Sequence, residues 1–234
     1  MKRILPVMAA AAFAAGLALA PAAHAITMTL SQFSSEPGDS PASVLDATVD
    51  FDITGANEVT ITLTNDTGGA TSYDMNGLAF NVSDDITSLT LVSATHSVNG
   101  DVLSGWDLET AGPTQSTKFD GFGIYDYALL DGTGNSPAQP GPGESVVFVL
   151  SITGTGPFDM LDFRELSSQT GEGDANLAYV AAKFVEGPND FSAYGSSRDE
   201  PFVPVPEPTT ATLLGTALLL LGASRRRARR SARP

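Results

Sequence analysis

From residue 45 to residue 53 the chain is apolar at every second position. Leu45, Ala47, Val49, Phe51 and Ile53 alternate with Asp46, Thr48, Asp50 and Asp52. A period of two is the mark of a strand with one buried and one wet face. Gly55-Ala56-Asn57 supplies a turn, and Val59, Ile61 and Leu63 then alternate with Thr60, Thr62 and Thr64. Together the two runs predict a β-hairpin. The same pattern predicts strands over residues 26–30, 78–82, 86–95, 118–130 and 177–185. Residues 144–153 are the most β-prone stretch, and their apolar run predicts a central strand buried on both faces. Residues 34–41, 65–69, 99–101 and 131–143 are rich in Gly, Pro, Asn, Asp and Ser and predict turns or loops. Residues 158–166 are apolar without a clear period. Roughly nine or ten short strands with turn signals between them predict an all-β fold. The expected form is an antiparallel β-sandwich of Greek-key or jelly-roll type, with a barrel as the alternative.

The two ends break this pattern. Lys2 and Arg3 precede an apolar run from Ile4 to Ala20, and Ala23-His24-Ala25 follows. That order predicts a secretory signal peptide over residues 1–25, with Ala23 and Ala25 forming the small-x-small site and cleavage after Ala25. At the other end stand Val205, Pro206, Glu207 and Pro208, then an apolar run over residues 209–223, then Ser224. Arg225, Arg226, Arg227, Arg229 and Arg230 follow, with Arg233 close behind. As a helix the run is about 22 Å long at 1.5 Å per residue, short of a ~30 Å hydrocarbon core. Ser224 and snorkelling arginines extend it, which predicts a marginal single transmembrane helix. The arginines hold that end inside, so the body lies outside. The expected domains are therefore signal peptide 1–25, β-sandwich body 26–187, polar linker 188–204 and anchor segment 205–230.

Removing the ends changes the charge picture. Eight of the 12 cations lie in them, while the body holds 26 of the 27 carboxylates against Lys118, Arg164, Lys183 and Arg198. A body at formal charge −22 repels phosphate backbones and excludes nucleic acid as a partner. It suits an exported protein and attracts divalent cations. The chain has no cysteine, which removes disulfides, thiol catalysis and Cys-based zinc sites.

Candidate chemistry is sparse. Outside the signal peptide, His96 is the only histidine, so any Ser-His-Asp triad would have to use it. No Gly-x-Ser-x-Gly elbow occurs, and Gly195-Ser196-Ser197 lacks the spacing. A carboxylate-pair glycosidase fits the residue types, but nothing in the pattern marks out one pair. Calcium suits oxygen-rich loops. The candidates for it are Asp131 with Asn135, Asp84-Asp85, and Glu172 with Asp174, none of which follows the EF-hand spacing. Trp106, Tyr125 and Tyr127 could stack on sugar rings, with Tyr125 and Tyr127 expected on one face of a strand. The core is the competing place for all three. Asn65-Asp66-Thr67 and Asn81-Val82-Ser83 fit the N-glycosylation pattern, which is short and frequent by chance.

Val205-Pro206-Glu207-Pro208, a short apolar helix and a terminal Arg cluster resemble, in that order, the PEP-CTERM sorting signal of Gram-negative bacteria. This segment type is also described as an ice-binding-protein C-terminal motif. The resemblance spans residues 205–230 only. It implies recognition and cleavage near Pro206-Glu207-Pro208 by a membrane protease of the exosortase type, followed by release to the envelope or the exopolysaccharide matrix. In that setting Pro206, Glu207 and Pro208 are recognition residues and take no part in catalysis. Ice binding does not follow, because Thr60, Thr62 and Thr64 form one short row and no repeated ladder is seen in the sequence.

The sequence therefore leads to an exported, non-enzymatic envelope or matrix protein with no cofactor, calcium being the single candidate. It would be held in the inner membrane with its body in the periplasm until it is sorted. A carbohydrate- or calcium-binding module is the first alternative, and a secreted glycoside hydrolase or lyase the second.

Overall fold

The computed structural model describes residues 25–35, 45–68, 73–112, 117–133, 138–168, 177–186 and 192–197. All of them belong to the compact unit His24–Val205. The predicted signal peptide up to His24, the sorting motif Val205–Pro208, the apolar run and the arginines lie outside the described residues.

The strands are β1 (Ala25–Thr29), β2 (Gln32–Ser35), β3 (Ala47–Gly55), β4 (Glu58–Asn65), β5 (Asp74–Phe80), β6 (Ile86–His96), β7 (Trp106–Thr110), β8 (Lys118–Phe119), β9 (Gly123–Ile124), β10 (Tyr127–Asp131), β11 (Ser145–Gly154), β12 (Val180–Val185) and β13 (Ala193–Ser197). They form a five-stranded sheet in the order β1-β3-β4-β11-β6 and a six-stranded sheet in the order β2-β13-β12-β5-β10-β7, with β8-β9 as a separate hairpin. Every pairing of these strands is antiparallel. The predicted hairpin is β3–β4, with Phe51 opposite Ile61 and Val49 opposite Leu63.

The inward residues of both sheets meet in one core. Phe51 of the first sheet lies 5.7 Å, centroid to centroid, from Phe80 of the second. Phe163 sits 5.4 Å from Phe51 and 6.3 Å from Phe80. Trp106 meets Phe148 edge-on at 4.9 Å. The ambiguous apolar stretch is a short 3-10 turn, Met160–Phe163, that feeds Phe163 into this joint. Asp159 caps the turn by accepting from Leu161 N–H, while Asp162 accepts from Asp159 N–H.

Three expectations need correction. β11 is central, but its burial alternates, and Val147 and Val149 point to a half-exposed outer face. Strands buried on both faces are found in the second sheet instead: Leu78, Ala79 and Phe80 of β5, and Val180, Ala181 and Ala182 of β12, are all fully buried. The predicted strand over 118–130 is divided among β8, β9 and β10. The first two fold back over the outer face of the second sheet. The predicted linker 188–204 contains β13, which pairs with β12 and β2. Gly195 explains why it reads as polar linker yet packs as a strand. A Cβ there would meet Phe33 Cε1 at 2.7 Å and Phe184 Cε2 at 3.0 Å, so the absent side chain makes room for two rings that touch edge-on at 6.1 Å.

Candidate functional site

The aromatic candidates are core residues. Trp106 is buried at the start of β7, and its indole N–H donates to Ala138 O at 3.1 Å. Tyr127 is buried on the inner face of β10, stacked on Phe80 at 6.0 Å. Tyr125 precedes β10 and belongs to a second apolar cluster on the outer face, with Phe119, Phe122, Ala79, Ala128 and Ala181. The two tyrosines thus lie on opposite sides of the sheet, against the expectation that they share a face. None of the three is exposed to stack on a sugar.

Burial pushes the Tyr125 phenol far above its ordinary range, with Ser167 acting weakly in the other direction. Ser167 Oγ donates to Phe122 O and accepts from Ala178 N–H, so the Tyr125 hydroxyl is left without a well-placed partner. Burial also raises Tyr127, where the Leu89 backbone acts against it and Asp126 adds to it.

Asp131, a calcium candidate, is buried at the end of β10. Its Oδ1 accepts from Thr133 N–H at 3.2 Å and from the Thr133 hydroxyl at 2.6 Å; its Oδ2 accepts from Gln139 at 2.8 Å. The carboxylate is the acceptor of an Asx-type turn and is already engaged. Asn135, Glu172 and Asp174 lie outside the described residues. Asp84 and Asp85 are exposed in the turn before β6. Among the described residues, no three His, Asp or Glu side chains converge to hold a metal.

Both glycosylation patterns serve structure. Asn65 is buried, and its Nδ2 donates to Tyr73 O at 2.6 Å and Pro140 O at 3.0 Å. Asn81 is buried with its Nδ2 on Glu165 O at 3.3 Å.

His96 is buried at the end of β6 with its Nε2 3.3 Å from Glu144 Oε2. Its Nδ1 accepts from Val98 N–H at 3.3 Å. Glu144 Oε2 also accepts from Gly141 N–H. Asp74, at the start of β5, lies on the other side of Gly141. Burial, the charges of Glu186 and Glu144, and a hydrogen bond with Glu186 hold the Asp74 carboxyl above the usual range. No serine hydroxyl is bonded to His96 among the described contacts, so this is a structural contact that ties β6 to the start of β11.

A polar groove of about 280 Å³ is lined by Asn81, Ser83, Asp84, Asp126, Glu165 and Ser168, with Val82 and Leu166. Asn81 Oδ1 accepts from Asp126 N–H at 2.7 Å, and Asp126 Oδ2 accepts from Val82 N–H at 3.1 Å. Ser83 Oγ donates to Asp162 at 2.6 Å. The walls are mutually hydrogen-bonded, and the outward carboxylates make the mouth acidic. The sequence did not single out this site, because its members come from three connections far apart in the chain. The local hints were the Asn81-Val82-Ser83 pattern and Asp84-Asp85, and nothing in the sequence linked them to Asp126, Glu165 or Ser168.

Among the described residues no helix is long and apolar enough to cross a membrane. The fold and these sites define an all-β protein built of antiparallel sheets. Comparison with protein families, with curated proteins and with solved structures finds no match.

Proposed function

We propose that this chain is an exported, non-enzymatic protein of the envelope or extracellular matrix, sorted through its PEP-CTERM-like tail. The observation that carries the reading is the order of Pro206-Glu207-Pro208, the apolar run over 209–223 and the terminal arginines. The described strands, Ala25 to Ser197, are consistent with it, since they overlap the two segments that would direct traffic at Ala25 alone. The body is a β-sandwich of jelly-roll type. Alternate crossing supports this, since β4, β6 and β11 lie in one sheet and β5, β10 and β12 in the other. An exosortase-type protease and the membrane are its processing partners, and exopolysaccharide is its surroundings. Replacing Glu207 with Ala and following the tail by mass spectrometry tests the reading. Loss of cleavage and retention in the inner membrane is expected. Unchanged processing and location removes the motif's role.

A second reading, a carbohydrate- or calcium-binding module, draws on the acidic groove at Asn81, Asp126 and Glu165. Glycan retention, or a calcium-dependent rise in Tm that Asp126→Asn abolishes, supports it; neither effect appearing removes it.

A further inference from the structure

β1 begins at Ala25, the last residue before the expected signal-peptidase cut. Cleavage there makes Ile26 the first residue of an edge strand. Hydrolysis adds one water: the leaving peptide ends in the Ala25 carboxylate, and the Ile26 nitrogen becomes an ammonium. The ladder phase decides where that nitrogen points. Leu30 N–H donates to Ala47 O at 2.9 Å. Hydrogen-bonded pairs recur at every second residue of an antiparallel ladder. In the observed register the next such pairs are Met28 with Val49 and Ile26 with Phe51. The Ile26 nitrogen therefore faces β3, at the Phe51 carbonyl.

Asp52 follows Phe51 and stands opposite Ala25. Its neighbour on the same face, Asp50, already accepts from the Thr27 hydroxyl. Asp52 differs: its Oδ1 is buried and has no hydrogen-bond partner among the described residues. A buried carboxylate oxygen without a donor is costly, and a charged donor is the strongest remedy. Neither β1, β3 nor β4 carries a lysine or arginine.

We propose that Asp52 is the receiving site for the Ile26 α-ammonium that signal-peptide removal creates. The ammonium keeps its bond to the Phe51 carbonyl and gives a second N–H to Asp52 Oδ1. Maturation thereby locks the edge strand. The other charges around it are few. Asp50 lies beside it, and Glu58 on β4 is bound by the Thr54 hydroxyl at 2.8 Å. The 3-10 turn packed on β3 brings Asp159, Asp162 and Arg164. Asp159 accepts from Leu161 N–H, Asp162 is held by Ser83, and Arg164 lies over the Tyr179 ring.

The proposal rests on the cleavage expected after Ala25, so the first measurement is the N-terminal sequence of the exported protein. A start at a residue other than Ile26 overturns it. The second measurement is an NMR titration of the unmodified α-amino group of the ¹⁵N,¹³C-labelled chain from Ile26 to Pro234, read at the Ile26 nitrogen and Cα. The group is expected to titrate above the ordinary range of about 7.7–8.0. A raised folded-state value stabilises fully below the ordinary value, and that stability is lost as pH rises through the raised one. Asp52→Asn should return the titration to the ordinary range and flatten the fall in Tm, and Asp50→Asn should do neither. Acetylating Ile26 keeps every side chain and should flatten the same slope, which covers the case of a poorly folding Asp52→Asn. An ordinary titration in the mature chain overturns the proposal. None of these readouts involves the C-terminal tail, so the sorting reading stands or falls separately.

Discussion

The two sheets solve the same packing problem differently. In the first, β3, β4 and β11 bury one face each, and the other face presents Thr48, Asp50, Thr60, Thr62, Val147 and Val149 to solvent. In the second, β5, β10 and β12 bury both faces. Ala128, Ala79 and Ala181 lie side by side across three strands, and Gly77 sits in the next row between Leu130 and Lys183. This small-residue floor lets β8 and β9 bring Phe119 and Phe122 down against it. Phe119 meets Tyr125 at 6.0 Å and Tyr194 at 5.6 Å, both edge-on. The cover is pinned through Ile124 and Ser168, which exchange backbone hydrogen bonds at 2.9 Å each. Double burial is therefore written in alanine and glycine, while the valine-rich strand is single-faced. β-branched side chains fit any half-buried pleated surface, but only small ones let a second layer approach.

The strongest challenge to this comparison is at the joint the two sheets share. Phe51→Ala removes a ring that touches Phe80 and Phe163 and should cost about 3–5 kcal/mol. Both sheets should melt in one transition by calorimetry and by denaturant. Separate transitions would mean that the sheets are not one cooperative unit.

Asp131→Ala comes next. It takes the acceptor from Thr133 and Gln139 and should cost about 1.5–3 kcal/mol, read from urea midpoints. Asp131→Ala should leave the response of Tm to calcium as it is in the wild type, since this carboxylate acts as a turn acceptor.

A paired test then sharpens the difference between the outer faces. Ala181→Leu should overfill the space beneath Phe119 and Tyr125 and cost about 1–3 kcal/mol. Val149→Leu on the bare face of the first sheet should stay within about 0.5 kcal/mol. Equal costs would remove the distinction.

The smallest effect is expected at Asp74. Its folded-state value is raised, so the folded state holds the proton more tightly than the unfolded chain. Its contribution is therefore most favourable below the ordinary Asp range and falls as pH rises through the raised value. Asp74→Asn should remove that fall and make Tm, followed by circular dichroism, less dependent on pH across this interval.

Local pattern determined much of this protein. Alternation placed β1, β3, β4 and β6 and marked the β3–β4 turn, because a strand with one buried face writes its period into consecutive residues; β11 was placed by its β-prone apolar run. The same locality marks off the two apolar runs at the ends from the body. β7 was missed because Trp106 stands among Gly105, Asp107 and Glu109 with little alternation, and β13 because Gly195 and two serines read as linker. The sites were less legible. Acidic residues are so many that the sequence cannot choose among them, and only folding brings Asn81, Asp126 and Glu165 to one groove. The sequence set the all-β class and the charge. Tertiary structure decided which sheet gains a second layer, that Trp106, Tyr125 and Tyr127 are buried, and which carboxylate oxygens are left beneath the surface. Each of these depends on contacts between residues far apart in the chain, which no local pattern encodes.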